Sequence, residues 1–276
     1  MPSIRKELAE YDLIPRKRWG QHFLVDRNIL NKVVRTAQLE KGDVVLEVGP
    51  GLGEMTLALA RQVKKVIAVE IDPKLVEVLR KKTVDSPNVE VVKGDILKIH
   101  FNQLLDQEGQ RLKVVANLPY QISTPLLFRF IESKDVFSTL TLMLQKEAAQ
   151  RMVSPPGGKE YGPLSIFTQS ASNISICFFI KPSAFFPPPK VESAVIRIVW
   201  KERAVVESGE EEWFKKVVRG SLGYRRKRLI NALKHSDISL PPDIEQRMRK
   251  IGIDPQRRPE TLAIEEFVHL AEALKA

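Results

Sequence analysis

From Asp43 to about Trp200 the chain alternates short β-branched apolar runs with stretches whose apolar positions recur at helical spacing. The runs predict strands at Val44–Val48, Lys65–Glu70, Val89–Val92, Leu112–Ala116, Leu140–Leu144, Ile174–Phe179 and Ala194–Trp200. Helical periods fall between the early strands, over Glu54–Gln62, Pro73–Lys82 and Thr124–Glu132. Such alternation predicts an α/β architecture with a largely parallel, doubly wound sheet. The last two runs are separated by the proline-rich segment 181–190 with no helical period, so they are expected to pair as an antiparallel hairpin with a long loop. After Trp200 the pattern turns wholly helical, over Glu211–Leu222, Arg225–Lys234, Pro242–Ile251 and Ala263–Lys275. The expected organisation is an N-terminal basic arm and helix over 1–42, a sheet domain over 43–202 and a helical domain over 203–276. Segment 154–163, rich in Pro and Gly, reads as a mobile surface loop.

Composition narrows the class. The 276 residues are 43% hydrophobic and 28% charged, the balance of a soluble globular protein. No apolar run approaches the roughly 18 residues of a membrane span, and the N-terminus lacks the apolar stretch of a signal peptide, so a cytoplasmic protein is expected. The single Cys177 has no partner, and the four histidines show no ligand spacing, which argues against disulfides and a metal site.

Charge points to a partner. The net charge of +10 is concentrated: residues 215–258 hold 13 basic and 4 acidic side chains, and residues 1–35 hold 8 and 4. The densest runs are Arg16-Lys17-Arg18 and Arg225-Arg226-Lys227-Arg228. Solvated helix faces account for most charge runs, but two concentrated excesses around a near-neutral middle look like a footprint for a polyanion. Nucleic acid leads; an anionic membrane is weakened by the lack of an accompanying apolar face.

The chemistry gathers at strand ends. Glu47-Val-Gly49-Pro-Gly51-Leu-Gly53-Glu54 follows the first predicted strand and opens a helix. A dinucleotide fingerprint needs glycine at 54, and a P-loop needs a lysine; neither is present. Two carboxylates at this loop suit a ligand with a cationic end, such as the ammonium and sulfonium of S-adenosylmethionine, although a tight turn without a ligand would also use these glycines. Glu70 ends the second strand, where it can accept both ribose hydroxyls of an adenosine, and Asp95 follows the third, where it can accept from the adenine amino group. Asp72, before Pro73, reads as a helix cap.

The fourth strand ends in Asn117-Leu118-Pro119-Tyr120. An exocyclic adenine amine is a poor nucleophile because its lone pair is delocalised into the ring. Two acceptors aimed at its N–H groups, the Asn117 side-chain oxygen and the Leu118 carbonyl, would favour the pyramidal form. Pro119 fixes the backbone that presents this carbonyl, and Tyr120 offers a face for an extruded base. An ordinary Asn-Pro turn is the bland alternative.

Together with Gly20-Gln-His-Phe-Leu-Val-Asp26, Phe185-Phe-Pro-Pro-Pro-Lys-Val-Glu-Ser193, Arg225-Arg-Lys-Arg-Leu-Ile-Asn231 and Arg258-Pro-Glu-Thr-Leu262, these motifs make the chain resemble, nearly end to end, the ribosomal RNA adenine N6,N6-dimethyltransferase family. The resemblance implies a class I S-adenosylmethionine-dependent methyltransferase fold, with a seven-stranded mostly parallel sheet ending in an antiparallel hairpin and a small C-terminal all-α domain. It implies that Gln21–Leu24 folds over the cofactor, His22 and Leu24 contacting it beside Gly49, Gly51, Glu70, Asp95 and Asn117. The family usually has Asn where this chain has His22. It further implies that Phe185 and Phe186 approach the target base beside Tyr120, one of them serving the core, and that Arg225, Arg226, Lys227 and Arg228 bind RNA. The implied substrate is a pair of adjacent adenosines in a hairpin loop near the 3′ end of small-subunit ribosomal RNA, free or in a precursor particle, with the protein acting as a monomer. Competing readings are a large-subunit methyltransferase of the antibiotic-resistance type, a DNA adenine methyltransferase and a non-catalytic assembly factor.

Overall fold

Val44–Val48 is buried at every position, as a strand must be when both faces of its sheet are covered. In the computed structural model, which describes residues 4–16, 19–105, 109–203, 205–207 and 209–275, this strand is β2 of nine. The chain divides into two units, Met1–Ala149 with Ser175–Trp200, and Gln150–Ile174 with Lys201–Ala276. The second unit thus draws on 150–174, a segment that the sequence pattern groups with the sheet.

The first unit begins with α1 (Ile4–Glu10), the short strand β1 (Phe23–Leu24) and α2 (Arg27–Thr36). Then β2 alternates with α3 (Glu54–Ala60), β3 (Lys65–Glu70), α4 (Pro73–Lys82) and β4 (Val89–Lys93). Next come β5 (Leu112–Asn117), α5 (Ser123–Glu132), β6 (Phe137–Gln145) and α6 (Lys146–Met152). After α7 (Pro163–Ala171) follow β7 (Ser172–Ile180), β8 (Phe185–Phe186) and β9 (Ser193–Trp200). The large sheet has seven strands in the order β4-β3-β2-β5-β6-β9-β7. The β2–β3, β2–β5, β3–β4 and β5–β6 pairs are parallel, and β9 is antiparallel to β6. This is the class I methyltransferase arrangement that the sequence implies, with the last two long strands side by side.

The strand order decides where a ligand goes. From β2 the chain moves outward through β3 to β4, then returns to the other side of β2 as β5. The switch point lies between β2 and β5, so a crevice opens beyond Val48 and Asn117. Local signals fix the helices around it. Asp72 caps α4 by accepting from the Lys74 amide, with Pro73 in the first turn, and Asp26 caps α2 in the same way.

A second, two-stranded sheet has no local signature in the sequence. β1 pairs antiparallel with β8, Phe23 opposite Phe186 and Leu24 opposite Phe185, so the N-terminal segment is tied to the proline-rich loop. Each strand has only two residues, too few to show a period.

The second unit contains α7, α8 (Glu211–Leu222), α9 (Leu229–Lys234), α10 (Ile244–Lys250) and α11 (Ile264–Ala273), with α8 packed on α7 and α11. Two expectations change here. Segment 154–163 is not simply a surface loop: Tyr161 is fully buried, its hydroxyl donates to the Leu262 carbonyl at 3.0 Å, and the Gly157 amide donates to the Glu260 carbonyl at 2.7 Å. The basic run is not helical either. Tyr224–Lys227 forms a turn, closed by the Lys227 amide on the Tyr224 carbonyl at 2.8 Å, and α9 starts only at Leu229. Four cations in a first turn would oppose the positive end of the helix dipole, while Leu229, Ile230 and Leu233 are buried and hold α9 in place.

Candidate functional site

His22, Leu24, Gly49, Gly51, Glu70, Asp95, Asn117, Leu118, Pro119 and Tyr120 all line one cavity at the switch point. Its floor is the glycine loop. Gly51 and Gly53 both have positive φ, and a Cβ would stand 3.0 Å from the Phe23 ring at the first and 2.5 Å from a Leu79 methyl at the second. Side chains there would be strained and would collide with the packing.

Three carboxylates surround this loop, in three different states. Glu70 is buried and accepts from the backbone amides of Gly51 (3.2 Å), Ile71 (2.9 Å) and Asp72 (2.9 Å), so it braces the loop as well as facing the cavity. Burial raises its pKa, and those three amides oppose the rise. Glu54 is not an open partner for a cationic ligand, as the sequence suggests: Lys82 lies 3.0 Å from it and 2.6 Å from Glu7 of α1. Glu47 is fully buried, and among the described residues no donor reaches either of its oxygens. Burial pushes its pKa up to about 8; the Thr56 hydroxyl alongside opposes this and Glu70 adds to it. Asp95 accepts from the Leu97 amide at 3.0 Å, which fixes its carboxylate at the end of β4.

The Asn117–Tyr120 turn is anchored on every side. Asn117 donates its side-chain amide to the His22 carbonyl at 3.0 Å, and the Leu118 amide donates to the Met143 carbonyl at 2.9 Å. Among the described residues no donor is bound to the Asn117 Oδ1 or the Leu118 carbonyl. Tyr120 Oη and Ser193 Oγ are 2.6 Å apart, and the Tyr120 ring stacks on the His22 ring with centroids 5.5 Å apart. Burial raises the Tyr120 pKa against the opposing effect of Ser193. His22 Nδ1 lies 2.7 Å from the Pro187 carbonyl oxygen, which can only accept, so this nitrogen carries the hydrogen.

The two phenylalanines are elsewhere. Phe185 is 3% exposed and packs in the core with Leu30, Val33 and Met55, so it has no face to offer a base. Phe186 packs against the cluster of Leu8, Phe23 and Leu75, beneath the Arg5 guanidinium 4.8 Å from its ring. The proline-rich loop instead reaches the Tyr120 corner through the Pro187 carbonyl. Arg225, Arg226, Lys227 and Arg228 lie in the second unit, in the turn before α9. Lys17 and Arg18 lie outside the described residues, and Arg16 is 3.8 Å from Asp72. Sequence reasoning missed the Glu7–Lys82–Glu54 cluster and the Tyr120–Ser193 contact. Their members are up to 75 residues apart, with no local spacing to reveal them.

Among the described residues, no cluster of His, Cys, Asp or Glu could hold a metal ion, and no helix is long and apolar enough to cross a membrane.

Comparison with known proteins gives a consistent result. A family model described as ribosomal RNA adenine dimethylase matches residues 14–276. The chain is 44% identical over 263 residues to the ribosomal RNA small subunit methyltransferase A of Geobacter metallireducens, covering 95% of this chain and 96% of that protein. It is 42% identical over 277 residues to the protein of the same name from Alkaliphilus oremlandii, with 99% and 96% covered. Among solved structures, a dimethyladenosine transferase from Plasmodium falciparum superimposes with a TM-score of 0.77 at 27% identity, over 90% of this chain and 96% of that one. The 23S rRNA methyltransferase ErmE gives 0.70 at 25% identity, over 91% and 99%.

Proposed function

The chain belongs to the ribosomal RNA adenine dimethylase family, and from that premise we propose that it transfers methyl groups from S-adenosylmethionine to N6 of two adjacent adenosines in a hairpin loop near the 3′ end of small-subunit (16S) ribosomal RNA, giving N6,N6-dimethyladenosine. The full-length identity to small-subunit enzymes favours this substrate over the large-subunit one. The reading places the protein in the cytoplasm, as a monomer acting on the RNA or on a precursor of the small subunit.

The observation that carries the chemistry is the pair of uncommitted acceptors at Asn117 and Leu118, beside a cavity whose residues fit the cofactor. Glu47 is a buried carboxylate without a partner, suited to the cationic end of S-adenosylmethionine. Glu70 takes the ribose hydroxyls and Asp95 the adenine amine, with Gly49, Gly51, His22 and Leu24 closing around them. When bound, the sulfonium supplies a methyl group already activated for transfer.

The rest falls to the chain's own groups. Asn117 Oδ1 and the Leu118 carbonyl accept from the two N–H groups of the target amine, localising its lone pair as it pyramidalises. Because Asn117 Nδ2 is held by His22, the oxygen is oriented before the base arrives. Tyr120, fixed by Ser193 and His22, provides the stacking face. The amine proton becomes acidic once the nitrogen is methylated, so no strong base is required. The basic run Arg225, Arg226, Lys227 and Arg228 supplies positive charge for RNA phosphates, Arg226 with its side chain uncommitted among the described residues. Incubation of unmethylated small-subunit RNA with the protein and S-adenosylmethionine, followed by mass analysis, tests the reading.

A further inference from the structure

We propose that the turn between α8 and α9 is a stacking platform for an unpaired RNA nucleotide, built from Tyr224, His235 and Lys227 within the basic run. This extends the RNA-methylating reading, on which it rests, to a base-binding site in the helical unit.

Tyr224 is 43% exposed, although its ring is apolar. It stands 5.4 Å from the His235 imidazole with planes tilted by 56°, and Lys227 Nζ is 5.2 Å from its centroid. The imidazole is held at both nitrogens. Nδ1 is 2.6 Å from the Asn231 carbonyl oxygen, which only accepts, so the hydrogen is on Nδ1. Nε2 then accepts from the Lys227 ammonium at 2.7 Å. Lys227 is thereby drawn over the aromatic pair, making a cationic, braced surface. A ring fixed in advance loses little freedom when a base settles on it.

The neighbouring arginines divide their roles. Arg225 donates to the Lys159 carbonyl at 3.2 Å and Arg228 donates to Gln256 at 2.5 Å, so both commit part of their fork to the fold. Arg226 is exposed and makes no hydrogen bond or ion pair with any described residue. It is the side chain available to a phosphate, two positions from the Tyr224 ring. An aromatic face next to such a cation matches a single-stranded segment, whose bases are free to stack, and not a duplex, whose bases already stack on each other. Stacking accepts any base, so the site has no sequence preference.

The test measures binding of the full chain to a short single-stranded oligoribonucleotide, and to a duplex of the same sequence, across a salt series. Wild type, Tyr224→Phe, Tyr224→Ala and Arg226→Gln are compared. Tyr224→Ala weakens single-strand binding roughly 5- to 100-fold without changing the slope of log affinity against log salt, and Tyr224→Phe retains it. Arg226→Gln flattens the slope by about 0.7. Duplex binding is the same in wild type and Tyr224→Ala. The proposal is overturned if Tyr224→Ala, folded by circular dichroism, binds the single strand like wild type, or if its loss is equal on the duplex or appears in the salt slope. Methylation of small-subunit RNA by wild type is followed in parallel. Its absence would remove the methyltransferase reading, whereas normal methylation with Tyr224-independent binding would remove the platform alone.

Discussion

Asn117 donates its side-chain amide to the backbone carbonyl of His22, joining the last residue of β5 to the segment that enters β1 at 3.0 Å. The bond turns the amide nitrogen away from the target and leaves the oxygen as the acceptor. Asn117→Ala is expected to lower kcat by roughly 10²–10³, the usual effect of removing one such preorganised group, with a much smaller change in cofactor affinity. Single-turnover kinetics and calorimetry on the same preparation check this. Near-normal turnover would exclude Asn117 from the chemistry.

Glu47 makes stability depend on pH. Its pKa is raised from 4.5 to about 8 in the folded chain, so the fold holds it neutral while the unfolded chain ionises it. The stability this group contributes is complete below about pH 4.5 and is lost as pH rises towards 8. Glu47→Gln cannot ionise, so its advantage over wild type should grow across that window, to about 3 kcal/mol near neutrality. Melting at pH 5 and pH 8 measures it; a gap of equal size at both would contradict the assignment. Cofactor binding near pH 7 should also release up to about one proton from wild type and none from Glu47→Gln, as read by calorimetry in buffers of different ionisation enthalpy.

Glu70 has two tasks, and its removal should show both. Glu70→Ala strips the acceptor from three backbone amides and, on the proposed function, from the ribose hydroxyls of the cofactor. Cofactor affinity should fall by roughly 1.5–3 kcal/mol, with a lower melting temperature even without cofactor. Unchanged affinity in a folded variant would take Glu70 out of the site.

Lys82 holds α1 to the body through Glu7 and shares its charge with Glu54. Lys82→Met should leave two carboxylates without their cation, and the amides of α1 should exchange about tenfold faster or more. Ile4 lines the cavity proposed to hold S-adenosylmethionine, so affinity for it should fall as well. Hydrogen exchange followed by mass spectrometry reads the first effect, and equal exchange in both proteins would show that the ion pair does not secure α1.

The sheet was readable in the sequence because its strands carry β-branched runs long enough to show a period. Lys65–Glu70 and Pro73–Lys82 occur with the expected ends. Gly49, Gly51, Glu70, Asp95 and Asn117–Tyr120 are legible because they stand at or just after the carboxyl end of a strand, positions defined by local signals, whereas His22 and Leu24 follow only from the family resemblance. What escaped depends on tertiary pairing. The β1–β8 ribbon is two residues long on each side, and it decides that Phe185 enters the core while Pro187 meets His22. The Arg225–Arg228 turn reads as helix because helical apolar spacing begins directly after it, at Leu229, Ile230 and Leu233, yet the periodicity carries no account of the dipole that disfavours cations there.

The account's central claim is best tested on small-subunit RNA from cells that lack this protein, incubated with S-adenosylmethionine and either wild type or Asn117→Ala, then digested and analysed by mass. The account predicts two adjacent N6,N6-dimethyladenosines near the 3′ end with wild type and almost none with the variant. RNA left unmodified by wild type, or methyl groups placed elsewhere, would contradict it.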